Sequence, residues 1–140
     1  MLKIETLTRK KFEKYGSVLE PDNKDEVFTV LCGEKEKTGW RIGYVSLRPE
    51  PAKSLEAHSE SLETFEPVSG VSIILVAEKS SPDSVKAFLL DKPVLINKGV
   101  WHAVIVLSES AGIKVTENYD VDTVFHEFKG HMEPGVIHAE

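Results

Sequence analysis

The feature that most constrains the fold is a succession of short apolar segments separated by turn-forming residues. The segments are rich in Val, Ile, Tyr and Phe, and Gly, Pro, Asp or Asn bounds most of them. Short strands of this kind, spaced at intervals of roughly 8–12 residues, are typical of a β-sandwich or barrel. The predicted strands are Leu2–Leu7, Glu26–Leu31, Trp40–Leu47, Ser54–His58, Glu63–Val68, Val71–Ala77, Val85–Leu90, Val94–Ile96, Val100–Leu107, Ile113–Tyr119 and Thr123–Phe128.

The rest of the sequence predicts one short helix and no second domain. Thr8 is a typical N-cap residue, the predicted helix runs over Arg9–Tyr15, and Gly16 ends it. A length of 140 residues suits one domain with a single core, and the chain contains neither repeats nor low-complexity linkers. We therefore predict a single domain over residues 1–140.

Composition and charge exclude several classes of partner. Hydrophobic residues make up 41% of the chain and charged residues 29%, which is near the average of globular domains. The 17 Lys and Arg against 23 Asp and Glu give a net charge of -6, without the basic density that binds nucleic acid. The apolar stretches are far shorter than the roughly 20 residues of a membrane-spanning helix, and the N-terminus lacks a signal-peptide core. We expect a cytoplasmic protein that binds neither nucleic acid nor membrane.

Two of the predicted strands, Val71–Ala77 and Val100–Leu107, are apolar on both faces. A strand buried on both sides needs cover from outside its own barrel, which the N-terminal helix or a second subunit could supply. We therefore expect a homodimer. Cys32 is the only cysteine, so no intramolecular disulfide forms, and its apolar neighbours predict a buried thiol.

Polar residues that interrupt these strands are candidate metal ligands. Strand alternation puts Glu56, His58 and Glu60 on one face, Glu63 opens the next strand, and His102 lies in an otherwise apolar strand. Imidazole nitrogens and carboxylate oxygens suit zinc, nickel, manganese or iron. Each residue alone has an ordinary alternative as a core histidine or a solvated glutamate, but their joint spacing favours a metal site. The spacing of three further histidines fits no zinc site, and we expect them to be solvated: His126, His131 and His138.

This spacing resembles the signature of the cupins. The stretch Glu56-x-His58-x4-Glu63-x6-Gly70 is similar to the first cupin motif, with Glu in place of its first His. The stretch from Asn97 to His102 is similar to the second motif, Pro-x-Gly-x-x-His, with Asn in place of Pro. The resemblance implies an all-β fold, a cupin-type double-stranded β-helix (jelly roll) with a short N-terminal helix.

A narrower resemblance covers nearly the whole chain, in the stretches 2–7, 12–20, 55–58, 63–67, 82–88 and 100–102. In these stretches the sequence is similar to the ureidoglycolate lyase (ureidoglycolate hydrolase) family, a cupin family of allantoin and purine catabolism. The family has Gln where this chain has Glu63, and His-Pro where it has Ala103-Val104. The resemblance implies a metal-dependent carbon–nitrogen lyase that releases urea and glyoxylate from (S)-ureidoglycolate.

The metal roles follow from the resemblance and from residue chemistry. We expect Glu56, His58, Glu63 and His102 to hold a divalent metal ion, namely nickel, manganese or zinc. Glu56, His58 and His102 are also the candidate catalytic residues, because the elimination needs a base for the hydroxyl proton and an acid for the leaving nitrogen.

The substrate is expected to be a small carboxylic acid, which needs a positive clamp. Arg48, which matches a family position, and Arg41 are the candidates, with Trp101 beside the site. Two other classes of function stay open. One is a metal-dependent cupin isomerase or dioxygenase that acts on another small hydroxy- or keto-acid, and the other is a non-enzymatic cupin that binds a small molecule.

Overall fold

The computed structural model describes residues 2–132, with side chains described as far as Phe128. It consists of β-strands and one helical turn. The elements are β1 (Ile4–Glu5), α1 (Arg9–Phe12), β2 (Gly16–Val18), β3 (Arg41–Leu47), β4 (Ala52–Ala57), β5 (Glu63–Ser69), β6 (Ser72–Ala77), β7 (Lys86–Leu89), β8 (Val94–Ile96), β9 (Trp101–Val106), β10 (Ala111–Glu117) and β11 (Val124–Met132). No helix in this part of the chain is long and apolar enough to cross a membrane.

The strands form two sheets that pack face to face. One sheet has the order β1-β7-β6-β9-β4-β11 and the other β2-β8-β5-β10-β3. All neighbours are antiparallel except β1 and β7, which are parallel. This is the double-stranded β-helix that the sequence predicts. The bounds of most strands lie within a few residues of the expected ones, but β2 is a strand that the sequence analysis did not predict.

The space between the sheets contains the main hydrophobic core, which we call the barrel core. It takes side chains from both sheets and from the N-terminal segment. Phe12, Tyr15 and Phe88 fill part of it with edge-to-face ring pairs whose centroids lie 5.3–6.1 Å apart. The remaining buried members are Leu7, Val18, Phe65, Ile74, Val76, Leu90, Val94, Ile96, Val100, Ile113 and Val115.

The N-terminal segment is fixed to the barrel at two points. Thr8 caps α1 by accepting a hydrogen bond from the Lys11 backbone N–H at 3.2 Å, as predicted. The helix ends at Phe12 and continues as a turn, which is earlier than the expected Tyr15. A Cβ atom at Gly16 would lie 1.7 Å from the carbonyl oxygen of Leu95, so the close pairing of β2 with β8 requires glycine at this position.

Strand β6 is buried on both of its faces within a single chain. Alternation directs Ile74 and Val76 into the barrel core, while Ile73 and Leu75 join a second hydrophobic cluster on the other face. The cover that the sequence requires for this strand therefore comes from the chain itself. These faces give no reason for a dimer, and the homodimer stays a prediction.

The segment Glu26–Leu31 is not a strand, and the prediction that it is one is wrong. Residues 19–40 contain no strand, and Cys32, which we expected to be buried, is exposed. The composition of this segment suits a strand, but a strand also needs a neighbour that completes its hydrogen bonds. No described strand of the chain lies beside it.

Candidate metal centre

The two sheets bring four predicted ligand residues together. Glu56 in β4 is the cross-strand neighbour of His102 in β9, and His58 follows directly after β4. Glu63 opens β5 in the other sheet. One donor atom from each residue falls within 4.8 Å of all the others. Glu60, predicted on the same face, is exposed and lies outside the group.

Glu63 is the centre of this group. Its Oε1 lies 2.7 Å from His102 Nε2 and 3.4 Å from His58 Nε2. The Oε1 of Glu56 is farther from the two rings, at 3.6 Å from His102 Nε2 and 3.8 Å from His58 Nε2. Glu63 and both histidines are buried, whereas the side chain of Glu56 is 39% exposed. Glu56 therefore borders the solvent side of the group.

Backbone carbonyls orient both imidazole rings. His58 Nδ1 lies 2.8 Å from the carbonyl oxygen of Asp122, and His102 Nδ1 lies 3.0 Å from that of Val100. Because a carbonyl oxygen only accepts, each Nδ1 carries a proton and donates it. In a neutral ring the Nε2 lone pair is then free and points into the group, as in the histidine ligands of metal proteins.

Three buried atoms in the group form no well-aligned hydrogen bond, although Glu63 Oε1 lies close to both ring nitrogens: His58 Nε2, His102 Nε2 and Glu63 Oε1. Buried polar atoms without partners are uncommon, and each destabilises the fold. A divalent cation would bind all three, since its preferred donors include imidazole nitrogen and carboxylate oxygen. The donor set therefore fits a divalent metal ion, with Glu56 available as a fourth ligand.

When no metal is bound, protons can occupy the Nε2 atoms of His58 and His102. Burial lowers the pKa of His102, but the carboxylates of Glu56 and Glu63 beside the ring outweigh burial and raise the pKa to about 9. The hydrogen bond to Glu63 also raises the pKa of His58. Burial alone would raise the pKa of Glu63, but its hydrogen bonds to the two rings hold it well below its usual range. A metal ion would therefore compete with protons for these atoms.

Asp122 holds the loop on which His58 lies. Its carboxylate accepts hydrogen bonds from the Ser59 hydroxyl at 2.6 Å, the Ser59 N–H at 3.2 Å and the Glu60 N–H at 3.4 Å. Its carbonyl accepts from His58, so one residue fixes both the loop and the ring. The hydrogen bonds from Ser59 lower the pKa of Asp122, because they stabilise its charged form. The sequence analysis missed this residue.

Glu117 is a second residue that the sequence analysis missed. It lies in β10 opposite Glu63 on one side and opposite Arg41 on the other. Burial and the neighbouring Glu63 raise the pKa of Glu117, although Arg41 acts in the opposite direction. Arg41 Nη2 lies 2.7 Å from Glu117 Oε2, so Arg41 reaches the group only through this carboxylate.

A cavity of about 390 Å³ is lined by three of the four residues, Glu56, Glu63 and His102. Arg41, Arg48 and Trp101, the predicted substrate-binding residues, do not line it. Arg48 is exposed after the end of β3, and Trp101 packs on the opposite face of β9, where its Nε1 donates to the Lys79 carbonyl at 3.1 Å. The lining residues are Gly43, Tyr44, Val45, Leu47, Ser54, Glu56, Glu63, Phe65, His102, Ala103, Val104, Val115, Glu117 and Phe125.

The remaining histidines lie apart from this group. His126 Nε2 lies 2.9 Å from Asp83 Oδ1, and its ring centroid is 5.7 Å from that of Trp101. His126 is therefore partly buried and paired, whereas we expected it to be solvated. The side chain of His131 and the whole of His138 lie outside the described residues.

Comparison with known proteins identifies the fold. No family model matches the sequence, and no curated protein matches it. Among solved structures, procruciferin, an 11S globulin from Brassica napus, is 11% identical with a TM-score of 0.50, over 60% of this chain and 22% of that chain. CapF is 20% identical with a TM-score of 0.56, over 67% of this chain and 30% of that chain. The chain thus spans less than a third of either protein.

A third structure matches over most of both chains. QdtA from Thermoanaerobacterium thermosaccharolyticum, a sugar 3,4-ketoisomerase solved in complex with TDP, is 16% identical with a TM-score of 0.50. The match covers 88% of this chain and 84% of QdtA. At these identities a likeness shows the fold alone. The chain has the cupin fold, as its strand pattern and motif spacing predict.

Proposed function

We propose that the protein is a divalent-metal-dependent cupin enzyme that acts on a small hydroxy acid, with the ureidoglycolate lyase reaction as its activity. The observation that carries the proposal is the set of three buried, unpartnered donor atoms beside a cavity. A metal ion would bind all three atoms at once, whereas without one the two buried rings need protons to pair with Glu63. The specific reaction rests on the whole-chain resemblance to ureidoglycolate lyases.

Position and exposure divide the roles among the four residues. His58, His102 and Glu63 are buried and lie closest together, so they are the metal ligands. When bound, the metal supplies a Lewis acid that acidifies a substrate hydroxyl. Glu56 is partly exposed and lines the cavity, so it is the base or a fourth ligand.

The proposed reaction needs one proton to move between two atoms of the substrate. Ureidoglycolate carries a hydroxyl group and a urea nitrogen on the same carbon. Glu56 accepts the hydroxyl proton, the C=O bond of glyoxylate forms, and the C–N bond breaks with its electron pair on nitrogen. Protonated Glu56 then returns the proton to that nitrogen, so urea leaves with no net consumption of protons.

The charge of the cavity favours a second candidate, a metal-dependent isomerase of a hydroxy- or keto-compound. Three carboxylates line the cavity, and no Lys or Arg is among its described lining residues. A substrate carboxylate would then have only the metal to balance its charge, whereas a neutral substrate needs no cationic clamp. The fold likeness to a sugar ketoisomerase agrees with this second candidate.

The test is the release of urea and glyoxylate from (S)-ureidoglycolate by protein loaded in turn with nickel, manganese and zinc. We expect turnover with at least one metal, and none from His102→Ala. Glu63→Gln restores the residue of the lyase family, so it should keep or gain activity while its metal affinity falls.

Urea release at the uncatalysed rate with every metal would exclude the lyase. Metal-dependent oxygen uptake would then identify a dioxygenase, and interconversion of aldose and ketose substrates would identify an isomerase. Metal binding without any turnover would leave the binding cupin.

A further inference from the structure

The segment Glu26–Leu31, which we call the apolar segment, is exposed although its composition suits a buried strand. Phe28 is 81% and Val30 73% exposed, and Val27 and Leu31 are exposed as well. Contiguous exposed apolar residues of this kind typically mark an interaction surface. None of the described strands pairs with the segment, although Thr29, Val30 and Leu31 border a cavity beside α1 and β2 of their own chain. No described strand of the same chain therefore completes its backbone hydrogen bonds.

The edge of the five-stranded sheet also lacks a neighbouring strand. Strand β3 is the last strand of that sheet, and β10 is its only neighbour among the described strands. Its seven residues are almost all exposed, including Ile42 and Tyr44. The other side of β3 therefore presents unpaired backbone N–H and C=O groups, and natural proteins rarely leave a long apolar edge of this kind uncovered.

We propose that the protein forms a two-fold symmetric dimer in which the apolar segment of each copy adds as a strand to the free edge of β3 in the other copy. One chain carries both a strand-forming segment without a neighbour and a strand edge without a neighbour. When two copies exchange their apolar segments, each segment gains a neighbouring strand and each β3 edge is covered. The two contacts are identical, as in a dimer with a two-fold axis. This interface lies away from the doubly apolar strands on which the sequence-based expectation of a dimer rests.

Charge selects the antiparallel direction for this pairing. Arg48 follows β3, is exposed, and forms no ion pair with another described residue. The apolar segment begins after Asp25. Antiparallel pairing with Asp25 opposite Arg48 joins these opposite charges, whereas parallel pairing would bring Asp25 toward Arg41, which already pairs with Glu117.

The same register makes the partner part of the cavity. It places Phe28 opposite Val45, and cross-strand neighbours share one face of a sheet. Val45 lines the cavity and is 37% exposed, and Phe125, on the edge strand of the other sheet, is 65% exposed there. Phe28 of the partner subunit would cover this apolar border.

Mass measurement on the full chain is the first test. We expect sedimentation equilibrium at micromolar concentration to give twice the chain mass of 15.6 kDa. Phe28→Glu should give a monomer with an unchanged circular dichroism spectrum, because Phe28 makes its contacts in the dimer. Val68→Glu is the matched control, since Val68 is also apolar and 58% exposed but lies in β5, and it should stay dimeric.

A monomeric wild type, or a Phe28→Glu variant that is as dimeric as Val68→Glu, overturns the proposal. If Phe28→Glu loses β-structure, Thr29→Pro replaces it, because proline removes a backbone donor from the added strand. A monomeric Thr29→Pro variant then supports the proposal, and a variant as dimeric as Val68→Glu overturns it.

Cross-linking tests the register and excludes pairing within one chain. In a Cys32→Ser background, Thr29→Cys protein is mixed with Tyr44→Cys protein, residues that the register places opposite each other. We expect oxidation to give a covalent heterodimer, and much less when Tyr119→Cys replaces Tyr44→Cys as an exposed control. Equal cross-linking by both partners overturns the proposed pairing.

Discussion

Two parts of the barrel interior contrast sharply. In one, the rings of Phe12, Tyr15 and Phe88 fill the space between the sheets. In the other, His58, His102 and Glu63 face each other beside a cavity, and three of their buried atoms form no well-aligned hydrogen bond. Strand alternation directs Phe88, His102 and Glu63 inward, whereas Phe12 and Tyr15 come from α1 and the turn after it, and His58 follows the end of β4. The aromatic part therefore provides stability, whereas the polar part places buried ionisable groups where a divalent ion could bind.

The largest effect on stability is expected from Phe88→Ala. Phe88 is 1% exposed and contacts two other rings, so its truncation leaves a cavity in the aromatic part. The free energy of unfolding should fall by about 3–5 kcal/mol. Urea denaturation measures the fall, and calorimetry of the folded variant should give an unchanged metal affinity. A large loss of metal affinity would show that the two parts are not independent.

His102→Ala should show the opposite pattern. If four ligands share the roughly 10–16 kcal/mol of a structural zinc site, the loss of one weakens metal binding roughly 100-fold or more. The β-rich circular dichroism spectrum should persist, since the aromatic part is untouched. Isothermal titration calorimetry measures the change, and metal affinity within a factor of two of wild type would contradict the role of His102.

Asp122→Ala should have a smaller effect on the polar part. The substitution removes three hydrogen bonds to Ser59 and Glu60 but leaves the carbonyl that orients His58. Loss of such support for a ligand weakens metal binding by about tenfold. Asp122→Asn should recover part of the loss, because its amide oxygen still accepts hydrogen bonds. Equal losses in both variants would show that charge, not hydrogen bonding, matters at this position.

The smallest effect is the pH dependence of the metal-free protein. The folded state raises the pKa of His102 from 6.5 to about 9 and also raises that of His58. The stability this provides is fully present below pH 6.5 and is lost as the pH rises through about 9. Thermal unfolding should therefore show a declining Tm across this window, and His102→Ala should show a flatter profile. A Tm that rises with pH would contradict the assigned direction.

Much of the fold could be predicted because it depends on local alternation. The sequence shows the alternation of apolar residues in β6 and β9 and the turn residues between the strands. His102 and Glu56 then lie on adjacent strands, β9 and β4. Alternation also puts His58 on the face of Glu56, and the cupin-like spacing adds Glu63, which alternation alone could not bring from one sheet to the other. The four candidate ligands therefore converge as expected.

What could not be predicted depends on partners distant in the sequence. Asp122 lies 64 residues beyond His58, and nothing in the sequence links them. Glu117 meets Glu63 only because β10 pairs with β5. The Glu26–Leu31 prediction was wrong for the same reason, since β propensity does not reveal whether a neighbouring strand exists.

The most direct test of the central claim is the metal content of purified protein. After incubation with nickel, manganese or zinc and dialysis, elemental analysis should find one divalent ion per chain in the wild type. The His58→Ala, His102→Ala double variant should keep its β-rich spectrum and lose this ion. Undiminished metal in the double variant, or no stoichiometric metal in the wild type, would contradict the account.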